Sequence, residues 1–548
     1  MLKGISTGTN NFKKLIESNS YYIDKTKIIE ELIIGRKEVY LFPRPRRFGK
    51  SLFISMLDNF FNIEYKDSNK NLFDDLNISK SEYYAFLSTK PVINISFREI
   101  ESDNYESMYS SFKELIREVY SKKKYLLNIL DEYETEIFNS FLSETATLDK
   151  YKKSIYLLSD FMSRYYNKKV VILIDEYDVP LQNGFLIGFY DEIIKLIRGT
   201  FSNALKDNEY LDFGVVTGVL RISGESLFST FNNPDVYSIM DKRYNEYFGF
   251  TEKETKELLE YYGLELNKDV KEMYDGYVFG GVEIYNPWSI LKYAYNKVLN
   301  PYWLNTSRNS LIINSIKNCT NNVKVIIEKL LLGESYEITI NEQITYENFN
   351  DLTNVNNILN LLLMSGYLKV ENTYINDSYE EIAIVKLPNM EVAQIFKRIL
   401  VEVLISDLRI DKVNIDNFCN AVIDNNKELM QALLNKILPN KSYMDTGEDF
   451  YQGYLLGIFS LFLNNKKYIV DSNREAGNGR FDLMIKDKIY NIGIVLELKV
   501  TDGDMEEGAI KGLNQIENKE YYLDLIKDGY KDIRKIAICF KDKECCVR

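Results

Sequence analysis

Gly49, Lys50 and Ser51 close the stretch LFPRPRRFGKS, residues 41–51, and run straight into an apolar segment. A glycine, a lysine and a hydroxyl residue in that order can hold a nucleoside triphosphate. Backbone N–H groups at a helix start face phosphate oxygens, the ammonium reaches the β- and γ-phosphates, and the hydroxyl ligates Mg²⁺. The pattern G-x-x-x-x-G-K-[ST] begins with a glycine where this chain has Arg44 between two prolines. Arg44, preceding Pro45, is expected to be extended. That alters the loop entrance and leaves Gly49, Lys50 and Ser51 untouched. On the motif alone, a working cradle and a chance match stand about level.

Two further groups carry chemistry. Asp175 and Glu176 end the run VVILIDE, where Asp175 would hold Mg²⁺ and Glu176 would polarise an attacking water. A buried strand that merely ends in an acidic turn is the plainer alternative. Near the C-terminus, Asp482 precedes Glu497-Leu-Lys499 in the spacing D-x(n)-E-x-K. Two carboxylates can hold Mg²⁺ against a phosphodiester, and a lysine can orient the nucleophile or meet developing charge. A salt bridge within a buried strand is the competing reading. Glu254-Thr-Lys256 and Glu517-Asn-Lys519 match E-x-K as well, but in polar, helix-like stretches.

These groups need particular elements behind them. EVYLF (38–42) suits a buried parallel strand, and SLFISMLDNFFN suits a helix with Leu52, Phe53, Met56, Leu57 and Phe60 at helical spacing. PVINISF (91–97) is an intervening strand. FGVVTGV (213–219) is a further one that ends near Thr217, with Arg221 after it; each could sense the γ-phosphate or simply cap the strand. In NIGIVLELKV, Glu497 and Lys499 share one face of a strand, and a hairpin can bring Asp482 alongside. From FGFTEKETKELLEYYGL (248–264) the pattern turns helical, as in a nucleotide-closing lid, with Asn286 and Pro287 as a helix-start signal. Trp288 and Trp303 are expected as core anchors.

Composition sets the limits. The chain has 548 residues, 45% hydrophobic and 27% charged, with no histidine and a formal charge of −13. Histidine-based triads and metal sites are excluded, so a general base must be Asp, Glu, Lys, Tyr or metal-bound hydroxide. A broad basic face for nucleic acid is disfavoured, which favours a local, cation-assisted site. Five cysteines lack zinc-ligand spacing, and Cys545-Cys546 look like exposed thiols in a charged tail. No apolar signal region opens the chain and no run is long enough to span a bilayer, so a cytoplasmic protein without membrane contact is expected.

NNFKKLIESNSYYIDKT, RPRRFGKS, LIDEYDVPL and TGVLRISGESLFSTFNN together resemble the bacterial AAA-ATPase-like family, whose members often carry a nuclease-like C-terminal domain. The similarity continues through MYDGYVFGG, IYNPWSI, PYWLNTS and LPNMEV, and so covers nearly the whole chain. The family loop also lacks the first glycine. Loops of the type GPRR-x-GKT imply that Arg46 and Arg47 belong to the cradle, near phosphate or an acidic side chain, with structural salt bridges left open.

SNREAGNGRFD resembles the family's nuclease motif. That resemblance implies Glu448 as a further metal ligand, Gln515 as a residue beside the lysine, and Glu475 and Arg480 lining the site or fixing its turn. Gln452 stands where the family commonly has histidine, which bears on whether the site cuts.

The implied fold is α/β. A P-loop NTPase core of the AAA/ASCE type at 1–247 is followed by a helical lid at 248–300 and a mostly helical linking region at 301–440. A PD-(D/E)xK nuclease-like domain of restriction-endonuclease type follows at 441–548. The implied activity is an ATP-regulated, Mg²⁺-dependent nuclease, with Mn²⁺ an alternative at the second site. Nucleic acid is the implied partner, DNA ahead of RNA, with homo-oligomerisation left open and defence against mobile DNA hinted at. The alternative is a signalling ATPase whose nuclease fold binds nucleic acid or protein without cutting; a scaffold with both sites decayed is the third reading.

Overall fold

The computed structural model describes residues 2–221, 234–303, 310–331, 333–343, 354–407, 412–438, 447–463, 467–472, 475–476, 479–541 and 544–548. Residues 222–233 of the TGVLRISGESLFSTFNN stretch lie outside these, as do the side chains of Glu475 and Arg480. The chain divides into two compact units, Met1–Ala393 and Gln394–Arg548.

The first unit is built on β1 (Val39–Pro43), β2 (Val92–Ser96), β3 (Val170–Asp175), β4 (Leu211–Gly218) and β5 (Pro234–Val236). They form one sheet in the order β2-β3-β4-β1-β5, and every pair is parallel. β1 and β3 are buried at every position, which is why each is an uninterrupted apolar run and not an alternation. β4 lies between the strand that feeds the phosphate loop and the strand that ends in the acidic pair. Both C-terminal ends therefore open on the same edge.

The helix Lys50–Phe61 starts directly behind the loop, with Gly49 as its N-cap at φ 87°. That is left-handed backbone, which glycine adopts without steric penalty.

Residues 248–300, expected as a helical lid, carry helices and also a small sheet. β6 (Phe250–Thr251), β7 (Tyr277–Phe279) and β8 (Val282–Tyr285) pair in the order β6-β8-β7. The helix Glu252–Tyr261 begins with a capping box between Thr251 and Glu254. Asn286 Oδ1 accepts from the N–H groups of Trp288 and Ser289 and so starts the helix Pro287–Asn296, as its Asn-Pro signal predicts.

The region expected to be mostly helical also contains an antiparallel sheet of β9 (Tyr336–Thr339), β10 (Lys369–Ile375) and β11 (Glu381–Lys386). β10, KVENTYI, is exposed over most of its length. It therefore lacks the apolar alternation that marks a half-buried strand.

The second unit is a mixed sheet of β12 (Tyr468–Ser472), β15 (Leu483–Asp487), β16 (Ile492–Val500), β17 (Asp532–Lys541) and β18 (Glu544–Val547), in that spatial order. A two-residue ladder, β13 (Glu475–Ala476) with β14 (Gly479–Arg480), stands between β12 and β15 in sequence. β15 and β16 are antiparallel, β16 and β17 parallel, and the crossover helix is Met505–Lys519.

β16 is sandwiched. Leu496 and Leu498 enter a core with Phe418, Leu434, Tyr454 and Phe459. Val495 on the other face packs with Ile516 and Tyr521. Cys545 and Cys546 are buried in β18 rather than exposed. Pairing of this last strand with β17 pulls the short segment into the sheet.

Candidate functional site

At the first centre, Lys50 is buried and its Nζ donates to the backbone carbonyls of Arg44 (2.9 Å) and Pro45 (3.0 Å). Burial holds its ammonium below the usual lysine range, against the opposing pull of Glu176, Asp178 and Asp175. Asp175 ends β3, and its Oδ1 accepts from the buried Thr217 hydroxyl at 2.7 Å. Thr217 thus orients the carboxylate. Glu176 follows at φ 54°, left-handed backbone that costs a non-glycine residue about 1 kcal/mol. Burial raises its carboxyl.

Arg98, two residues beyond β2, was not singled out from sequence. One of its guanidinium nitrogens donates to Ser51 Oγ and lies 3.7 Å from Asp175 Oδ2, while Nε lies 3.4 Å from Glu176 Oε2. Asp178 was missed too. It is buried, and its Oδ2 accepts from Val219 N (2.8 Å) and Leu220 N (3.2 Å), binding the end of β3 to the chain after β4.

The loop arginines take three different roles. Arg44, in the place of the absent glycine, continues strand pairing through its N–H to Gly218 O (3.0 Å). Its side chain is fully buried, donating to the carbonyls of Pro43 (3.1 Å), Tyr237 (2.6 Å) and Tyr244 (3.5 Å), with the guanidinium carbon 5.1 Å from the Phe248 ring centroid. Burial pushes its pKa down to about 9. Arg44 is an internal strut.

Arg46 donates to Gln182 Oε1 at 3.2 Å. Arg47, at φ 69°, lays its guanidinium over Trp288, 4.5 Å from the ring centroid. Trp288 is therefore a platform for the loop as well as a packing residue, while Trp303 is a buried anchor as expected.

Burial is the first cause of the depressed pKa of Arg47, and the charges of Arg98 and Arg46 add to it. Arg46 likewise weighs on Lys50. These cations repel one another around the loop, a field that polyphosphate would relieve. Arg221 stands apart: it acts electrostatically on Glu342, and no hydrogen bond or ion pair among the described residues joins it to Lys50, Ser51 or Asp175. A separate 720 Å³ cavity opens at the N-terminal ends of the strands, around Glu38, Lys90 and Asp212. Ligands of parallel sheets sit at the opposite end, where the loop lies.

At the second centre, the register Leu483↔Leu496 sets Asp482, one residue ahead of β15, opposite Glu497. Asp482 Oδ2 accepts from Leu498 N at 2.7 Å. Glu497 is 1% exposed; Oε1 lies 3.1 Å from Lys499 Nζ, and Oε2 is buried with no hydrogen-bond partner among the described residues. Burial, then the charge of Asp482, pushes the Glu497 carboxyl up to about 7.

Burial depresses Lys499, but Glu497 and Glu448 more than offset it and hold the ammonium above its usual range. Glu448, the first residue of the helix Glu448–Phe462, lies 3.5 Å from Lys499 Nζ through Oε2. Gln452, one turn on, donates to the backbone carbonyl of Asp482 at 2.8 Å. The Gln452 side chain thus uses an amide to brace the Asp482 backbone.

Gln515 donates to the Tyr521 hydroxyl at 3.2 Å, and Tyr521 feels the charges of Glu497, Asp482 and Lys499. The crossover helix reaches the site through Gly512, where a Cβ would stand 2.9 Å from that of Ala537 and 3.6 Å from Glu497 Cγ. Asp482, Glu497, Lys499 and Glu448 are therefore together, with Gln515 linked to them through Tyr521. A hard cation coordinates oxygen ligands. The bare Glu497 oxygen, which feels the charge of Asp482, fits one, and so do the Ser51 hydroxyl and Asp175 at the first centre. Glu254 and Glu517, the other E-x-K glutamates, lie on helices.

Family models cover both centres. A protein of Azotobacter chroococcum mcd 1, described as an uncharacterized protein in the vnfD 5′ region, is 27% identical over 318 residues. The match spans 57% of this chain and 55% of that relative. Residues 6–228 match the family model described as Predicted AAA-ATPase, and residues 446–548 match that of the PD-(D/E)XK nuclease superfamily. The chain therefore joins an AAA-ATPase-like domain to a PD-(D/E)XK nuclease-like domain.

Proposed function

We propose that this protein binds and hydrolyses ATP at the first centre and cuts phosphodiester bonds of nucleic acid, DNA ahead of RNA, at the second. The observation that carries the nuclease reading is the buried Oε2 of Glu497, unpartnered among the described residues, beside Asp482 and Lys499. A carboxylate oxygen so placed is costly unless a cation or proton meets it.

At the ATPase centre, Lys50 turns from the carbonyls of Arg44 and Pro45 to the β- and γ-phosphates. Arg46 and Arg47 supply further positive charge at the loop. Ser51 and Asp175 are the residues that would hold Mg²⁺, and Glu176 orients the water that attacks. Thr217 keeps Asp175 in place, and Arg221 is a more distant candidate for sensing the γ-phosphate.

At the nuclease centre, Asp482 and Glu497 would hold Mg²⁺ or Mn²⁺, with Glu448, beside Lys499, the candidate third ligand. When bound, the cation supplies charge neutralisation at the scissile phosphate and lowers the pKa of a water. Lys499 donates hydrogen bonds to the nucleophile or to the phosphate oxygens, where negative charge develops. Gln452 keeps the Asp482 backbone in place, and Gln515 braces Tyr521 beside the site. The ATPase module regulates access to this centre, with a role in defence or mobile-element control as the setting.

The test is a cleavage panel of plasmid and oligonucleotides with Mg²⁺ or Mn²⁺, with and without ATP, on the full chain, Lys50→Ala and Lys499→Ala. Expected is cleavage by the wild type that is lost in Lys499→Ala and loses its ATP response in Lys50→Ala. Cleavage that persists in Lys499→Ala refutes the site assignment. Nucleic-acid binding without any cleavage favours the binding-only alternative.

A further inference from the structure

Arg98 lies against the two residues assigned to Mg²⁺ at the ATPase centre and against Glu176, assigned to the water. Its guanidinium donates to Ser51 Oγ and lies 3.7 Å from Asp175 Oδ2 and 3.4 Å from Glu176 Oε2. The placement follows from strand register: Ser96 pairs with Asp175, and Phe97 N donates to Asp175 O at 2.9 Å, so the chain turns with residue 98 facing the acidic pair. Lys50 is occupied with two loop carbonyls. Among the described residues, the cation lying against both carboxylates in this arrangement is therefore Arg98.

We propose that Arg98 is a built-in counter-ion of the ATPase centre, taking the cation position between Ser51, Asp175 and Glu176, and that Mg²⁺ must displace it on entering. The inference rests on the nucleotide reading above for its timing, since displacement accompanies loading of the site. Two features suit a guanidinium that leaves. Its side chain is 39% exposed, so it has solvent to move into. Its contacts with the two carboxylates are long, and ion pairs open to water are individually weak. The Ser51 hydroxyl oxygen cannot serve Arg98 and a metal in the same geometry, so the two states exclude each other. Arg98 is a positioning residue in this scheme: it shields Asp175 and Glu176 from one another until the metal takes over.

The test uses the full chain as Arg98→Ala and Arg98→Lys, with Arg98→Ala/Asp175→Asn to separate this centre from the nuclease one. Thermal unfolding in EDTA and in a MgCl₂ series, without nucleotide, reads metal binding directly. Titration of a fluorescent ADP analogue against Mg²⁺ reads the loaded state. Loss of one exposed competing ion pair should lower the half-saturating Mg²⁺ concentration of Arg98→Ala about threefold to tenfold. Arg98→Lys should fall between Arg98→Ala and wild type, and the double variant should lose the gain.

An unchanged or higher Mg²⁺ requirement in Arg98→Ala overturns the proposal, and so does a gain that survives Asp175→Asn. If Arg98→Ala does not fold, Arg98→Lys is read by the same criteria. Failure of the wild type to bind the ADP analogue removes the nucleotide reading alone, because the nucleotide-free Mg²⁺ series still decides whether Arg98 competes with the metal.

Discussion

The backbone N–H of Leu498 donates to Asp482 Oδ2 at 2.7 Å, so the strand that carries Glu497 and Lys499 also aims the third member of their group. Asp482 is fixed by the sheet, while Glu497 pays for its place with a buried bare oxygen. Two substitutions that should each abolish cleavage are therefore expected to differ in their effect on stability. Burial raises the Glu497 carboxyl to about 7, so above that pH the ionised group weakens the fold. In EDTA at about pH 8, Glu497→Gln should melt no lower than wild type. Lys499→Ala removes the ammonium 3.1 Å from Glu497 and should melt lower. Cleavage should fall at least about a hundredfold in both. A clear drop in the melting temperature of Glu497→Gln would mean that its carboxylate is a structural partner rather than a site held for a cation.

Restoring the absent glycine should damage the loop. Arg44 fills the interior with its guanidinium and satisfies carbonyls of Tyr237 and Tyr244. Arg44→Gly deletes that filling, leaves buried acceptors bare and loosens the backbone, at a cost on the order of 3 kcal/mol. The measurement is urea unfolding together with nucleotide affinity. Both should fall in Arg44→Gly, with Arg44→Lys between it and wild type. Tighter nucleotide binding by Arg44→Gly would show that the arginine is a defect of the cradle and not a strut.

Legibility followed the range of the interactions. β1 and β3 are apolar throughout and buried throughout, so their local pattern carried their place in the sheet. Glu497 and Lys499 share a face because strand geometry alone demands it, and one antiparallel register brings Asp482 across. Arg98 was invisible for the converse reason: its role arises from pairing of β2 with β3 across more than seventy residues, and an arginine after a short strand carries no local mark. Arg44 was seen as a departure from a motif, but its partners come from residues 237–248, far along the chain. Cys545 and Cys546 misled because KDKECCVR has the composition of a solvated tail. Pairing of β18 with β17 decided their burial.

Glu391 gives the first unit a pH dependence of its own. It is fully buried and accepts from Trp303 N at 2.8 Å and from the Ser289 hydroxyl at 2.8 Å. Burial outweighs these donors and raises its carboxyl from 4.5 to about 7. Folding therefore favours the protonated form. The stability it contributes is fully present below about 4.5 and is lost as pH rises through about 7. Across the whole interval the loss is on the order of 3 kcal/mol. Glu391→Gln keeps an acceptor for Trp303 and Ser289 without the charge, so it should remove this dependence. Melting temperatures of both proteins should be similar at about pH 5 and diverge by several degrees near pH 8, with the variant higher. Parallel curves across that range would assign the pH response of this unit to another group.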